Sequence, residues 1–358
     1  MALRLLFKPF KSYLVICLLG FFSLGLIVTF KLNPEETLPA HRLLKSEVTA
    51  QSAIVMERSS RRVLFEKNSH KRLLTASIAK ILATLTAIEL LDLNRYIVVD
   101  STVLQATGSR IYLEVGEIIQ IRDLLYGMML QSGNDASLMV AKAYSGNIED
   151  FVIKMNDLAQ TLRMTDSFFQ NPTGLDENES NYSTAYDMAL LTAYAMENET
   201  FRQITRTKVH RFETPDGKSY VFYNKHRLIQ EEPKVIGGKT GFTKKAGRTL
   251  VTVFNQAGLE LIVVTFDAYG DWELHKRLAE EAFANYSMEK ILSPFTFRMS
   301  TFHLLTGKGL TKPVFFPLKD EEAYDLKLTL RNNEFYLSVK VAGEEWELPL
   351  ATEGGYND

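Results

Sequence analysis

Three short groups of residues in this chain carry side chains that could act together on a carbonyl carbon. The first is Ser77-Ile78-Ala79-Lys80, in the apolar run LLTASIAKILATLTAIEL. Residues i and i+3 share one face of a helix, so the Ser77 hydroxyl and the Lys80 amine can be neighbours across one turn. A serine at a helix N-terminus sits in the positive end of the dipole, among backbone N–H groups able to hold an oxyanion. Lys80 could take the hydroxyl proton if burial or a nearby cation lowered its pKa. Read in isolation, the same residues also describe a helix cap followed by a snorkelling lysine.

The second group is Ser132-Gly133-Asn134, in LLYGMMLQSGNDASLMV, a polar break between two apolar helical patterns. A hydroxyl and an amide so placed need polar partners, and a substrate amide or the Ser77–Lys80 pair could supply them. The tripeptide recurs at Ser145-Gly146-Asn147, where Asn147 reads as the N-cap of a following helix. The third group is Lys239-Thr240-Gly241, in VIGGKTGFTKKAGRTLVTVF. Its glycines let another backbone or a ligand approach a strand closely, and its lysine and threonine suit a carboxylate. A phosphate-binding P-loop is excluded, because Pro233 stands where its first glycine would be.

These groups need a scaffold, and the hydropathy pattern supplies one. Residues 51 to 67 alternate about a Ser-Ser-Arg-Arg turn and predict a β-hairpin. Helical periodicity covers 77–94, 121–144, 147–162 and 184–196, and strand patterning returns near Val235. TLVTVFNQAGLELIVVTFDA predicts a second hairpin turning at Asn255–Gly258, and residues 271–292 read as one long amphipathic helix. Strands at both ends with helices between them predict an α+β domain whose terminal strands share one antiparallel sheet. After Ser293-Pro294, LKLTL, FYLSVKV and WELPL predict three short strands joined by tight turns, a small β-rich C-terminal domain. The expected organisation is therefore a basic N-terminus (1–12), an apolar span (13–30), a linker (31–50), a catalytic domain (51–292) and a β-rich domain (293–358).

With 358 residues, 46% hydrophobic and 23% charged, the chain can bury a large core, and a net charge of −2 argues against a nucleic-acid partner. Cys17 is its one cysteine, which excludes an internal disulfide and a cysteine-built metal site. Arg4, Lys8 and Lys11 precede an apolar run from Tyr13 to Phe30, long enough to cross a bilayer core. The flanking cations place the N-terminus in the cytoplasm and the rest outside it. An uncleaved anchor is expected. A cleaved, secreted form would need a small-x-small site, and the candidate at Leu38-Pro39-Ala40 is distant and begins with leucine.

Taken in chain order, Ser-x-x-Lys, Ser-x-Asn and Lys-Thr-Gly are the motifs of penicillin-binding proteins and class A β-lactamases. The sequence resembles the serine-type D-alanyl-D-alanine carboxypeptidases of the low-molecular-mass penicillin-binding protein group over roughly residues 51 to 292. Beyond the triplets, FFQNPTGLDENESNYSTAYDMALL and GGKTGFTKKAG also resemble family blocks. The resemblance implies a β-lactamase/DD-peptidase-like sheet flanked by helices, with no metal and no cofactor. It implies that Ser77 is the acylated nucleophile, Lys80 its base and Ser132 a proton relay. Asn134, Lys239, Thr240, Gly241 and Phe242 would bind substrate, with the N–H groups of Ser77 and Phe242 as the oxyanion hole. The implied partners are peptidoglycan stem peptides, and β-lactams as covalent inhibitors.

The chain departs from the family pattern in places. Thr75-Ala76 and Ala79 stand where Pro-Ala and threonine are usual, and Asn224-Lys225-His226 replaces an Asn-x-Asn that supports the last motif. The family's C-terminal membrane helix has no counterpart in ATEGGYND, so the N-terminal segment is expected to be the anchor. Three alternatives stay open: a DD-endopeptidase, a class A-like β-lactamase, and an inactive wall-binding protein. NPTGLDENESNYSTAYD resembles the carboxypeptidase version of its loop, not the β-lactamase version. His210 and His226 are expected to be surface or hydrogen-bonded structural residues, since no Gly-x-Ser-x-Gly or His-Glu-x-x-His accompanies them.

Overall fold

The computed structural model describes residues 47–354, apart from 177–179, 299, 301–302 and 304–305. The expected membrane span at 13–30 and most of the linker lie outside these residues. No helix among the described residues is long and apolar enough to cross a membrane. The described chain forms two compact units, 47–283 and 284–354.

The first unit is built on a five-stranded antiparallel sheet. Strand β1 (Ala50–Glu57) pairs with β2 (Val63–Lys67) on one side. On its other side it pairs with the second strand of a hairpin more than two hundred residues later. After a small hairpin of β3 (Val209–Glu213) and β4 (Ser219–Tyr223), the chain forms β5 (Val235–Thr243), β6 (Gly247–Gln256) and β7 (Leu259–Ala268). The sheet order is β2-β1-β7-β6-β5, so the strands from the two sequence ends share one sheet, as the pattern predicts. β7 is buried along nearly its whole length, which explains its continuous apolar run, LELIVV.

Helix α1 (Lys80–Leu90) is the centre of the helical part. Its first eight residues are all buried, and it contacts five of the helices that follow it: α2 (Ile121–Leu130), α3 (Asn134–Ser145), α4 (Ile148–Thr161), α5 (Ala185–Ala195) and α6 (Glu199–Arg206). A helix apolar on every face is stable only when surrounded in this way. α5 lies on β1 and β7, and α6 lies on β5. A short α7 (Arg227–Glu231) precedes β5. After β7, α8 (Asp271–Asn285) buries Leu274, His275, Leu278 and Ala279. Its His275 hydrogen-bonds to Thr252 on β6 and Thr265 on β7.

One expected element is shorter than its periodicity suggested. The helix predicted to run to Leu292 ends at Asn285, and Ser287–Leu292 is instead a strand, β8. It pairs with β9 (Val314–Leu318) and buries Ile291 and Leu292 with Phe297 and Phe316. A partner strand distant in sequence overrode a local pattern that fits either period. This second unit also contains a meander of β10 (Tyr324–Arg331), β11 (Glu334–Val341) and β12 (Glu344–Leu350), the three predicted strands. Its turns put Asn332, Asn333, Ala342 and Gly343 at positive φ, the geometry of tight hairpins.

Candidate active site

Ser77 lies in a single 3₁₀ turn, Ala76–Ala79, that runs directly into α1. Neither the turn nor α1 has a side-chain cap, so the cap reading of Ser77 does not hold. In a 3₁₀ turn residues i and i+3 eclipse, which brings the Lys80 amine over the Ser77 hydroxyl. Lys80 Nζ is 3.1 Å from Ser77 Oγ. It also donates to Asn134 Oδ1 at 2.7 Å and to the Thr173 carbonyl. Ala76, just before the serine, is buried with φ at +47°, a conformation that costs an alanine energy. The loop at Gly174 packs so closely here that a Cβ on that glycine would lie 1.9 Å from the Ala76 carbonyl oxygen.

The Ser132-Gly133-Asn134 break forms because α2 ends there and α3 begins. Ser132 takes φ +61°, and the Gly133 N–H closes α2 by donating to Gly127 C=O at 3.1 Å. Asn134 opens α3, and its Nδ2 donates to the Thr107 carbonyl at 2.7 Å, which turns Oδ1 toward Lys80. The buried Asp135 carboxylate accepts from the backbone N–H groups of Ile111, Tyr112 and Leu113, tying down the facing loop. The second copy of the tripeptide does something else: Asn147 caps α4 by accepting from Glu149 N–H at 3.0 Å.

Lys239 arrives from β5. Its Nζ donates to Ser132 Oγ at 3.0 Å and to the Thr240 carbonyl at 2.8 Å. Gly241 is where this strand meets the 3₁₀ turn. A Cβ at Gly241 would meet Thr249 Oγ1 at 2.3 Å, Ser77 N at 2.9 Å and Ile78 N at 3.1 Å. Thr249 Oγ1 in turn donates to the Thr75 carbonyl at 2.9 Å, binding β6 to the same turn. Thr240 is half-buried beside Gly241, and Phe242 is 63% exposed.

Two of the site's lysines are fully enclosed. Burial first, then the charge of Lys239, hold Lys80 well below the ordinary lysine range; Asp135 pulls the other way, and Lys225 adds a smaller lowering effect. Burial, with Lys225 second, lowers Lys239 to about 7. His226 and His210 are both hydrogen-bonded within the protein, His226 to Val251 C=O and Thr252, His210 to Asp123. No group of His, Cys, Asp or Glu among the described residues is arranged to hold a metal ion.

Every sequence-predicted site residue therefore falls in one region: Ser77 and Lys80 on the turn, Ser132 and Asn134 on the α2–α3 break, and 239–242 on the strand beside them. Sequence reasoning missed the Thr173 carbonyl, which holds Lys80. It also missed the Asn171 side chain that shapes the loop by accepting from Thr173 N–H and Gly174 N–H. The Asn-Pro-Thr-Gly run was the available signal, since asparagine before such a turn commonly bonds its own backbone.

Comparison with known proteins establishes the family. The family model described as D-alanyl-D-alanine carboxypeptidase, peptidase S11, matches residues 38–270. The chain belongs to the peptidase S11 family. Among its relatives in that family, the D-alanyl-D-alanine carboxypeptidase DacF of Bacillus subtilis (strain 168) is 37% identical over 224 residues. That match takes in 61% of this chain and 57% of the Bacillus protein's own length. A D-alanyl-D-alanine endopeptidase of Escherichia coli (strain K12) is 27% identical over 260 residues, covering 70% of this chain and 83% of that protein. Among solved structures, a D-alanyl-D-alanine carboxypeptidase from Mycobacterium tuberculosis H37Rv superposes with a TM-score of 0.65 at 32% identity. That superposition covers 70% of this chain and 96% of the other.

Proposed function

We propose that this S11 peptidase is a serine-type D-Ala-D-Ala carboxypeptidase that removes the terminal D-alanine from peptidoglycan stem pentapeptides. The reading rests on the surroundings of Lys80. An amine held neutral by burial has two N–H groups and one lone pair. The Asn134 amide oxygen and the Thr173 carbonyl take both N–H groups, which leaves the lone pair for the Ser77 hydroxyl 3.1 Å away. Such an amine is a general base.

In this mechanism Lys80 takes the Ser77 proton as Oγ attacks the carbonyl of the penultimate D-alanine. The N–H groups of Ser77 and Phe242 hold the oxyanion. Lys239, with Thr240, binds the terminal carboxylate. Bringing a carboxylate to an ammonium whose free pKa is about 7 raises that pKa, so substrate binding itself secures the charge. The proton that Lys80 took reaches the departing D-alanine nitrogen through the Ser132 hydroxyl, which is bonded to Lys239, and Lys80 is left neutral again. Water then hydrolyses the acyl-enzyme, with Lys80 again as base. A β-lactam acylates Ser77 by the same first step. The apolar segment 13–30 is the membrane anchor, which puts the site on the extracytoplasmic side.

Incubation with monomeric pentapeptide and with cross-linked dimeric muropeptides, followed by mass spectrometry, tests the activity. Free D-alanine and tetrapeptide monomers are expected. Dimers split without D-alanine release would make the protein an endopeptidase instead.

A further inference from the structure

Residues 224–226 join β4 to α7 and, with Tyr223 at the end of β4, touch both halves of the site without entering the mechanism above. On one side the Lys225 backbone N–H donates to Leu130 C=O at 3.0 Å, and Lys225 Nζ donates to Gln131 C=O at 2.7 Å. Gln131 Nε2 returns a bond to Tyr223 C=O at 2.8 Å. Leu130 and Gln131 close α2, where helical carbonyls lack intrahelical partners, and the next residue is Ser132. On the other side Asn224 donates to the Thr205 and Thr207 carbonyls, and Thr205 Oγ1 is 2.9 Å from both the N and the O of Gly238. His226 lies against the same strand: a Cβ on Gly238 would come within 2.6 Å of its Nε2. The segment thus runs from the end of α2 to the residue before Lys239.

We propose that Lys225 is a positioning residue: by holding the Leu130 and Gln131 carbonyls, it fixes the Ser132 hydroxyl against Lys239. Where the family pattern supports the last motif with a second asparagine, this chain has His226. The connection to the second motif then runs through its neighbour, Lys225. The role rests on the proposed acyl-transfer function. The Lys225 charge acts on the site as well. Lys239 is faced by Lys80 from α1, by Ser132, and by Lys225 and the neutral His226 from this segment. Of these, Lys225 bears most directly on Lys239, weakening its hold on a proton.

The test is the acylation rate with a fluorescent penicillin, across pH, for the wild type, Lys225→Met, Lys225→Arg, Ser132→Ala and the Lys225→Met/Ser132→Ala double variant. Wild-type labelling checks the function on which the role depends; its failure would count against that function, not against Lys225. Lys225→Met should acylate about tenfold more slowly, the worth of one charge-assisted hydrogen bond. Its alkaline limb should move to higher pH, because Lys239 then keeps its proton longer, and Lys225→Arg should restore both. In the Ser132→Ala background the same change should cost less than about twofold. Equal losses in the two backgrounds, or an unmoved alkaline limb, would each overturn the proposal. If Lys225→Met does not fold, Lys225→Gln carries the same cycle.

Discussion

At the scale of single residues, the site depends on which polar atoms find partners and which do not. Lys80 is fully buried with its contacts assigned, whereas the equally buried Thr75, two residues before Ser77, has a hydroxyl with no hydrogen-bond partner. An unsatisfied buried hydroxyl costs about 1–3 kcal/mol. Thr75→Val keeps the shape and removes that cost, so it should raise the melting temperature and leave penicillin acylation unchanged. A lower melting temperature would mean that the hydroxyl is satisfied in solution. The Ser77–Lys80 pairing was legible because three-residue spacing fixes a shared face whichever helix forms. The Thr173 carbonyl was not, since it reaches Lys80 across 93 residues of sequence and belongs to a backbone atom that any side chain could carry. Ser132 at positive φ was likewise hidden, because nothing in a serine announces a left-handed conformation.

At the scale of elements, the site depends on how closely β5 approaches the 3₁₀ turn. Gly241 permits that approach, and the atoms its missing Cβ would meet include two backbone nitrogens of the turn, which cannot rotate away. Gly241→Ala should therefore push the strand that carries Lys239 and Thr240 away from Ser77. A displacement of about 1 Å at a reacting centre costs on the order of a hundredfold in rate, while an added methyl costs roughly 1–3 kcal/mol in stability. Stopped-flow acylation alongside thermal unfolding should show a folded protein with acylation slowed by about that factor; wild-type rates would contradict the packing argument. The hairpin of β6 and β7 and the helices α1 to α5 were readable from period and turn residues. The strand Ser287–Leu292 was not, because Met288, Ile291 and Leu292 fit a helix face as well as a strand and the deciding partner, β9, lies beyond the local window.

At the scale of the whole molecule, buried histidines tie stability to pH. His226 is lowered to about 3, chiefly by burial, and His275 is held well below the usual histidine range by burial and then by His226. Both stay neutral in the fold, while each binds a proton near pH 6.5 once unfolded. Between pH 6.5 and about 3 the unfolded chain therefore holds more protons, and stability falls as the pH drops through that window. Two such groups give a slope approaching about 2.7 kcal/mol per pH unit. Melting temperatures measured from neutral pH downward should fall more steeply for the wild type than for a His226→Gln/His275→Gln variant; equal slopes would contradict the account. The central claim concerns one atom, and intact-protein mass spectrometry after penicillin treatment addresses it directly. The wild type should gain the mass of one ring-opened penicillin, with peptide mapping placing it on Ser77, and Ser77→Ala should gain nothing. An adduct on another residue, or an equal adduct on Ser77→Ala, would contradict the assignment of Ser77 as the nucleophile.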